Sequence, residues 1–302
     1  MKKAGGPLNV VTGAFSFSGS YIAARLLAMG EGVRTLTNHP RGDARIEAAA
    51  LDFRNAEELT RNLAGAEVLY NTYWVRFAQG ALSHGKAVEN TRALIHAAEQ
   101  SGVKRMVHIS VANPSSDSPL PYFKGKAAVE DAIRTSSLSY AILRPAVVFG
   151  EEDILINNIA WLLRRFPVFA IPGTGNYGLQ PIFVEDLAAL AVEAGHIREN
   201  MVVDAVGPEI YEYEDLVRLI RRTVGSQSRI VHVSPSFVRL ASWFLGKLVH
   251  DVVLTKDEVS GLMANLLVSK QPPTGNTSLR AWLRDDAEKI GTQYASELKR
   301  HY

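Results

Sequence analysis

Tyr122 and Lys126 stand four residues apart, and on a helix that spacing puts both side chains on one face. A phenol is a poor acid at neutral pH, with an ordinary pKa of about 10. A neighbouring ammonium stabilises the phenolate and brings its proton into working range. The lysine could also hold a ribose hydroxyl, tying the acid–base pair to a nucleotide. Ser110, at the end of the preceding apolar run, could orient a substrate carbonyl or hydroxyl. The three together would make a proton relay beside a hydride carrier. Tyr-x-x-x-Lys alone is a common pattern; its position in the chain gives it weight. No rival machinery stands out: there is no paired-His metal motif, no G-x-S-x-G elbow and no cysteine, so no metal site is expected.

Such a relay needs a sheet and a cofactor turn to position it. Leu8 to Gly30 (LNVVTGAFSFSGSYIAARLLAMG) reads as a buried strand, a glycine turn and an amphipathic helix. Gly13 permits the tight turn, Gly19 permits close helix–strand packing, and the free N–H groups at the helix start can face a pyrophosphate. Phe15, Ser16, Phe17 and Ser18 complete that turn. Ser16 stands where the middle glycine of G-x-x-G-x-x-G would be, and its Cβ is expected to restrict the backbone. The second strand, Gly32 to Thr37, ends without an acid for a ribose 2′-OH. Asn38, His39 and Arg41 follow, and Arg41 could reach a 2′-phosphate, so NADP is expected, with NAD as the alternative. A third strand ends at Asp52 and Phe53. Asp52 could meet the adenine amino group and Phe53 flank the ring, or Asp52 could cap the next helix. The fourth strand leads into Thr72 and Tyr73, expected beside the cofactor, and into Trp74 and Arg76. These two, with Tyr177 further on, are candidates for the substrate; the competing reading is loop packing.

A helix over 86–101 and strands over 104–110 and 138–143 continue the alternation. The fold class expected is α/β: a Rossmann-type doubly wound parallel sheet with a smaller, mainly helical C-terminal lobe. The cofactor core is placed at 1–150. Residues 151–302 are expected to add further strands, with Pro181 to Val184 returning to the sheet, and a lobe interleaved with the core. His96 reads as a structural histidine among apolar neighbours. An apolar helix near Phe237–Val249 presents Trp243, Phe244, Leu245 and Leu248, read as core or homodimer packing, or else as a membrane-surface face. The 302 residues are 47% hydrophobic and 21% charged with net charge +2, which gives no argument for nucleic acid. No apolar run reaches membrane-span length, and a cytoplasmic location is expected.

TGAFSFSG (12–19), Asp52-Phe53, Asn90, Ser110, Tyr122-x-x-x-Lys126, Arg144-Pro145-x-x-x-Phe149-Gly150 and PIFVED (181–186) occur in one order. Over roughly residues 8 to 205 that ordered set resembles the extended short-chain dehydrogenase/reductases, including the NAD-dependent epimerase/dehydratase group. FGEEDILIN (149–157) is most similar to the atypical branch, which holds NmrA-like proteins and the nucleotide-binding accessory subunit of respiratory complex I. The resemblance implies NAD(P) along Gly13–Gly19 with Pro145 near the nicotinamide. It implies Tyr122 as acid/base, Lys126 as its activator and ribose ligand, and Ser110 as polariser; Ser115, Ser116 or Ser118 could take the serine's part instead. Two functions follow. One is an NAD(P)-dependent oxidoreductase or epimerase-like enzyme acting on a small carbonyl or hydroxyl compound held between the sheet's C-terminal edge and the lobe. The other is a non-catalytic NAD(P)-binding sensor or assembly factor.

Overall fold

The computed structural model describes residues 6–40, 43–78, 83–237, 242, 246–247, 251 and 255–296. Arg41 and most of the apolar stretch 237–249, including Trp243, Phe244, Leu245 and Leu248, lie outside the described residues. The chain divides into two compact units, residues 1–145 with 184–205 and residues 146–183 with 206–302.

The first unit is built on strands β1 (Leu8–Thr12), β2 (Gly32–Leu36), β3 (Ile46–Ala49), β4 (Val68–Asn71), β5 (Arg105–Ile109) and β6 (Ser139–Pro145). A later strand, Met201–Ala205, joins them beside β6 in a seven-stranded sheet. Every pairing in that sheet is parallel, and β1 and β4 lie side by side at its centre. The chain therefore runs outward from β1 in one direction and, from β4, in the other. That reversal opens a crevice at the carboxyl ends of β1 and β4, where doubly wound sheets bind ligands.

Helices α1 (Phe17–Ala28), α2 (Ala56–Leu63), α3 (His84–Ser101), α4 (Pro121–Arg134) and a fifth at Val184–His196 flank this sheet. Parallel strands covered on both faces have no polar side, which is why Val10, Leu69, Met106 and Ile142 are all fully buried. Each such side chain contributes roughly 1.5–3 kcal/mol when removed from water. Val10, Leu69, Leu94, Met106, Ile133 and Ile142 share one core with the inner faces of α2, α3 and α4. Arg105 closes the far edge by donating to the carbonyls of Ala194, at the end of the Val184–His196 helix, and of Glu199 beyond it.

In the second unit, β7 (Val147–Phe149), α5 (Leu155–Arg165), β8 (Val168–Pro172), β9 (Gly178–Leu179) and β10 (Pro181–Phe183) come before the return to the first unit. β12 (Tyr211–Glu212), α7 (Tyr213–Thr223), β13 (Arg229–Val233), α8 (Lys256–Met263) and α9 (Leu279–Asp285) come after it; the strand and helix of that return are β11 and α6. Pro181 to Phe183 does not rejoin the main sheet as expected. It pairs in parallel with β7, and β8/β13 and β9/β12 form two further ladders. For the same reason the boundary expected after Gly150 lies at Pro145: β7 belongs with β10. Phe149, Ile156, Ile171, Leu216, Ile220 and Leu283 form this unit's core.

Candidate functional site

The turn after β1 is held by its own backbone. Gly13 takes φ +70°, a left-handed conformation that favours glycine, and its N–H donates to Leu36 O. Both the N–H and the hydroxyl of Ser16 donate to the Gly13 carbonyl, at 2.8 and 2.6 Å. Ser16 itself has φ −92° and ψ 171°, ordinary extended backbone, so the serine imposes no strain there. The expectation that its Cβ would restrict the turn is corrected: the hydroxyl folds back and pins it. A Cβ on Gly19 would lie 2.1 Å from the Gly13 carbonyl oxygen, so only glycine allows α1 to approach this closely. Ser16 is the N-cap, and Phe17, Ser18 and Gly19 form the first turn of α1, whose N–H groups lack acceptors one turn back. These features fit a dinucleotide pyrophosphate: a cradle of free donors at a helix start, with no side chain filling the close approach.

Thr12 ties this turn to the end of β4. Its hydroxyl donates to Asn71 Oδ1 and accepts from the N–H groups of Thr72 and Tyr73, while the Thr72 hydroxyl donates to Thr12 O. Asn71 continues the link to β5 through His108 Nδ1 at 3.0 Å. His108 is wholly buried, and desolvation, with the Lys126 charge nearby, holds it well below the usual histidine range. Tyr73 packs on Phe53, ring centroids 4.8 Å apart, and its hydroxyl accepts from Asn90. Phe53 and Tyr73, expected separately, thus form one aromatic wall. Asn38 exchanges both amide atoms with the backbone of Leu51, joining the ends of β2 and β3. His39 is exposed. Asp52 accepts from the Arg54 backbone and side chain, in that order the causes that lower its pKa, and the N-cap of α2 is Asn55 instead.

On α4, Tyr122, Lys126, Glu130 and Arg134 follow at four-residue spacing. Lys126 is buried, and its ammonium donates to Ile109 O at 2.8 Å. Burial pushes its pKa down to about 7, with the Glu130 charge pulling the other way. Trp74 roofs this pair: its ring lies 4.5 Å from Lys126 Nζ, meets Tyr122 edge-on at 5.9 Å, and stacks on His84 at 6.0 Å. A Cβ on Gly125 would lie 3.0 Å from that indole. Arg76 sits over Phe77, 5.7 Å from the ring centroid.

Ser110 is brought close to α4 but toward a different partner. Its hydroxyl donates to Glu130 at 2.6 Å, and Glu130 also receives Arg144 twice and Arg134 once. This buried carboxylate was missed by sequence reasoning, although the four-residue stripe through Tyr122 and Lys126 passes through it. Ser115 and Ser118 accept from the N–H groups of Asp117 and Leu120, and Ser116 is exposed. Pro145 ends β6 opposite Ala205, and its carbonyl accepts from Ala112. Tyr177 lies in the core of the second unit, stacked on Tyr213 with its hydroxyl on Pro172 O, which gives it a packing role there. His96 is exposed, and it lines an open groove of about 540 Å³ with Arg92, Ile95, Glu99, Ala128 and Asp131.

A switch-point crevice, a glycine turn and a helix-borne Tyr/Lys pair come together on a Rossmann-type parallel α/β sheet, the arrangement that suits a dinucleotide. Residues 13–156 match the family described as NAD(P)H-binding. Among its relatives is a mitochondrial NADH dehydrogenase [ubiquinone] 1 alpha subcomplex subunit 9 of Arabidopsis thaliana, 25% identical over 75% of this chain. The match spans 60% of that relative's length. A photosystem II assembly factor, Ycf39 of Cyanophora paradoxa, is 24% identical over 93% of this chain and 92% of its own. Solved structures with the same fold include a nucleoside-diphosphate-sugar epimerase from Staphylococcus aureus, with TM-score 0.72 and 16% identity over 91% of this chain and 99% of that one. Another is an NADPH-dependent quinone oxidoreductase from Escherichia coli complexed with NADPH, with TM-score 0.72 and 20% identity over 93% and 98%.

Proposed function

We propose that the protein is an NADP(H)-dependent reductase of small carbonyl compounds. The observation that carries this reading is Lys126, buried one helical turn from Tyr122 with its pKa drawn down to about 7. A lysine perturbed that far, in register with a phenol at the crevice end of the sheet, is the arrangement proton transfer needs. Gly13 to Gly19 would hold the pyrophosphate, Phe53 and Tyr73 the adenine side, and Lys126 a ribose hydroxyl. The bound cofactor would supply the hydride. Tyr122 delivers the proton to the substrate oxygen, and Lys126 stabilises the phenolate left behind. NADP is preferred because β2 ends without an acid and Arg41 follows it.

The test is binding of NADPH and NADH by fluorescence, followed by oxidation across a panel of aromatic aldehydes and quinones with wild type and Tyr122→Phe. Turnover that survives Tyr122→Phe unchanged would rule this mechanism out. Arg41→Ala should weaken NADPH more than NADH, and equal losses would count against the phosphate assignment.

The hold of Glu130 on Ser110 favours a second reading, since it leaves the relay without its expected serine. The near full-length relative described as an assembly factor points the same way. On that reading the chain binds NAD(P) as a sensor or assembly module. Tight NADPH binding with no oxidation on any member of the panel would support it.

A further inference from the structure

A carbonyl oxygen that receives charge as hydride adds to its carbon needs preorganised donors around it. Tyr122 is one. Ser110 is not the second, because its hydroxyl points into the buried Glu130 carboxylate at 2.6 Å. The loop serines are tied into their own loop: Ser115 and Ser118 accept from the N–H groups of Asp117 and Leu120, and Ser116 lies exposed.

Trp74 has what they lack. The indole Nε1 is buried and has no hydrogen-bond acceptor among the described residues. An indole nitrogen can only donate, and a buried donor left unpaired costs free energy that a ligand acceptor would recover. The ring cannot easily turn away to find another partner. His84 stacks on it nearly parallel, at 11°, and Lys126 Nζ lies 4.5 Å from its centroid. Its Cζ2–Cη2 edge rests on Gly125, where even a methyl would be crowded. Held this way, the indole meets the Tyr122 ring edge-on at 5.9 Å.

We propose that the Trp74 indole N–H is the second hydrogen-bond donor to the substrate's carbonyl oxygen, doing beside Tyr122 what Ser110 was expected to do. This rests on the reductase reading. In the step it serves, the carbonyl carbon takes a hydride from NADPH and the C=O π pair moves onto oxygen. That oxygen takes the Tyr122 proton, leaving an alcohol and NADP⁺, and the phenolate regains its proton from solvent. Trp74 keeps its own proton throughout and only stabilises the oxygen.

The test uses full-length protein labelled with ¹⁵N-tryptophan, whose four indole N–H resonances are assigned by single Trp→Phe variants. NADP⁺ is added first, then 4-nitrobenzaldehyde, a carbonyl that this oxidised complex cannot reduce. The expected result is a downfield shift of the Trp74 Nε1–H resonance at saturating aldehyde. With NADPH in place, Trp74→Phe should keep cofactor affinity and lower kcat, by roughly 10²-fold, as the loss of one such donor does. If Trp74→Phe does not fold, the other three variants still assign the wild-type resonance by elimination. Turnover with an unmoved Trp74 resonance, or a Trp74→Phe variant with wild-type kcat, would overturn the inference alone. Neither turnover nor binding of any carbonyl would overturn the reductase reading and the inference with it.

Discussion

The Ser110 hydroxyl donates to Glu130 across 2.6 Å, and the same carboxylate takes two hydrogen bonds from Arg144. Glu130 thereby fastens α4 to the ends of β5 and β6, the three elements that carry Lys126, Ser110 and Pro145. Removing one member of such a buried set leaves the others uncompensated, which costs about 3–5 kcal/mol. Glu130→Ala should lose about that much in urea unfolding. Ser110→Ala should lose only about 1–2 kcal/mol, the cost of one buried hydrogen bond. If the serine only positions the helix, Ser110→Ala keeps NADPH oxidation within a few-fold of wild type. A loss as large as that of Tyr122→Phe would return Ser110 to the reacting oxygen.

The cofactor turn predicts that adding a side-chain atom at Gly19 and removing the side chain at Ser16 both weaken cofactor binding, by different amounts. A Cβ at Gly19 would meet the Gly13 carbonyl oxygen at 2.1 Å, so Gly19→Ala must push α1 away from β1. NADPH affinity should fall by more than roughly tenfold, since the pyrophosphate donors move with the helix. Ser16→Gly would restore the usual three-glycine pattern, but it deletes the 2.6 Å bond that pins the turn and adds backbone freedom. It should weaken NADPH binding a few-fold. Tighter binding by Ser16→Gly, measured by fluorescence titration, would contradict the pinning role.

The contrast between these two residues marks what was legible beforehand. Strand, turn and helix from Leu8 to Ala28 are short-range patterns, and so is the four-residue spacing of Tyr122 and Lys126; both came through as read. The partners of those residues did not. Ser110 reaches Glu130 across 20 positions, and Asn71 reaches His108 across 37. Trp74 comes from another strand end altogether. Sequence spacing says which side chains share a helix face, but not which strand end faces them. Asn38 illustrates the same gap. Its place after β2 suggested the ribose, yet its amide is matched atom for atom to the Leu51 backbone, a pairing that depends on where β3 ends.

Phe53 and Tyr73 make a third case. Their rings meet at 4.8 Å, and Asn90 holds the Tyr73 hydroxyl at 2.8 Å. If this wall borders the adenine, Phe53→Ala removes stacking area worth about 1–3 kcal/mol. NADPH should then bind roughly 5- to 150-fold more weakly, while free nicotinamide mononucleotide, which has no adenine, should bind as before. Asn90→Ala should give a smaller loss, because Tyr73 keeps its ring contact and loses only its tether. Equal losses for NADPH and the mononucleotide would place the wall elsewhere.

Lys126 predicts a pH dependence whose sign can be worked out. Burial holds its pKa near 7 in the folded chain, whereas the unfolded value is about 10.4. Between those values the unfolded chain binds the extra proton, so stability rises with pH across that window. Below pH 7 both states carry the charge and the burial penalty is felt in full. The groups that act on Lys126 leave that window to it. Glu130 is already counted as the charge that partly offsets burial, and His108, on β5, is buried and held neutral well below pH 6.5. Relative to Lys126→Met, wild type should therefore gain stability from pH 7 toward pH 10, by up to about 1.4 kcal/mol per pH unit. Urea unfolding of both proteins at pH 7, 8 and 9 reads this, since titrations that Lys126 does not influence cancel in the difference. A flat difference would mean that Lys126 keeps an ordinary, charged ammonium in the folded chain, and its support of the Tyr122 phenolate would then not fade between pH 7 and 9.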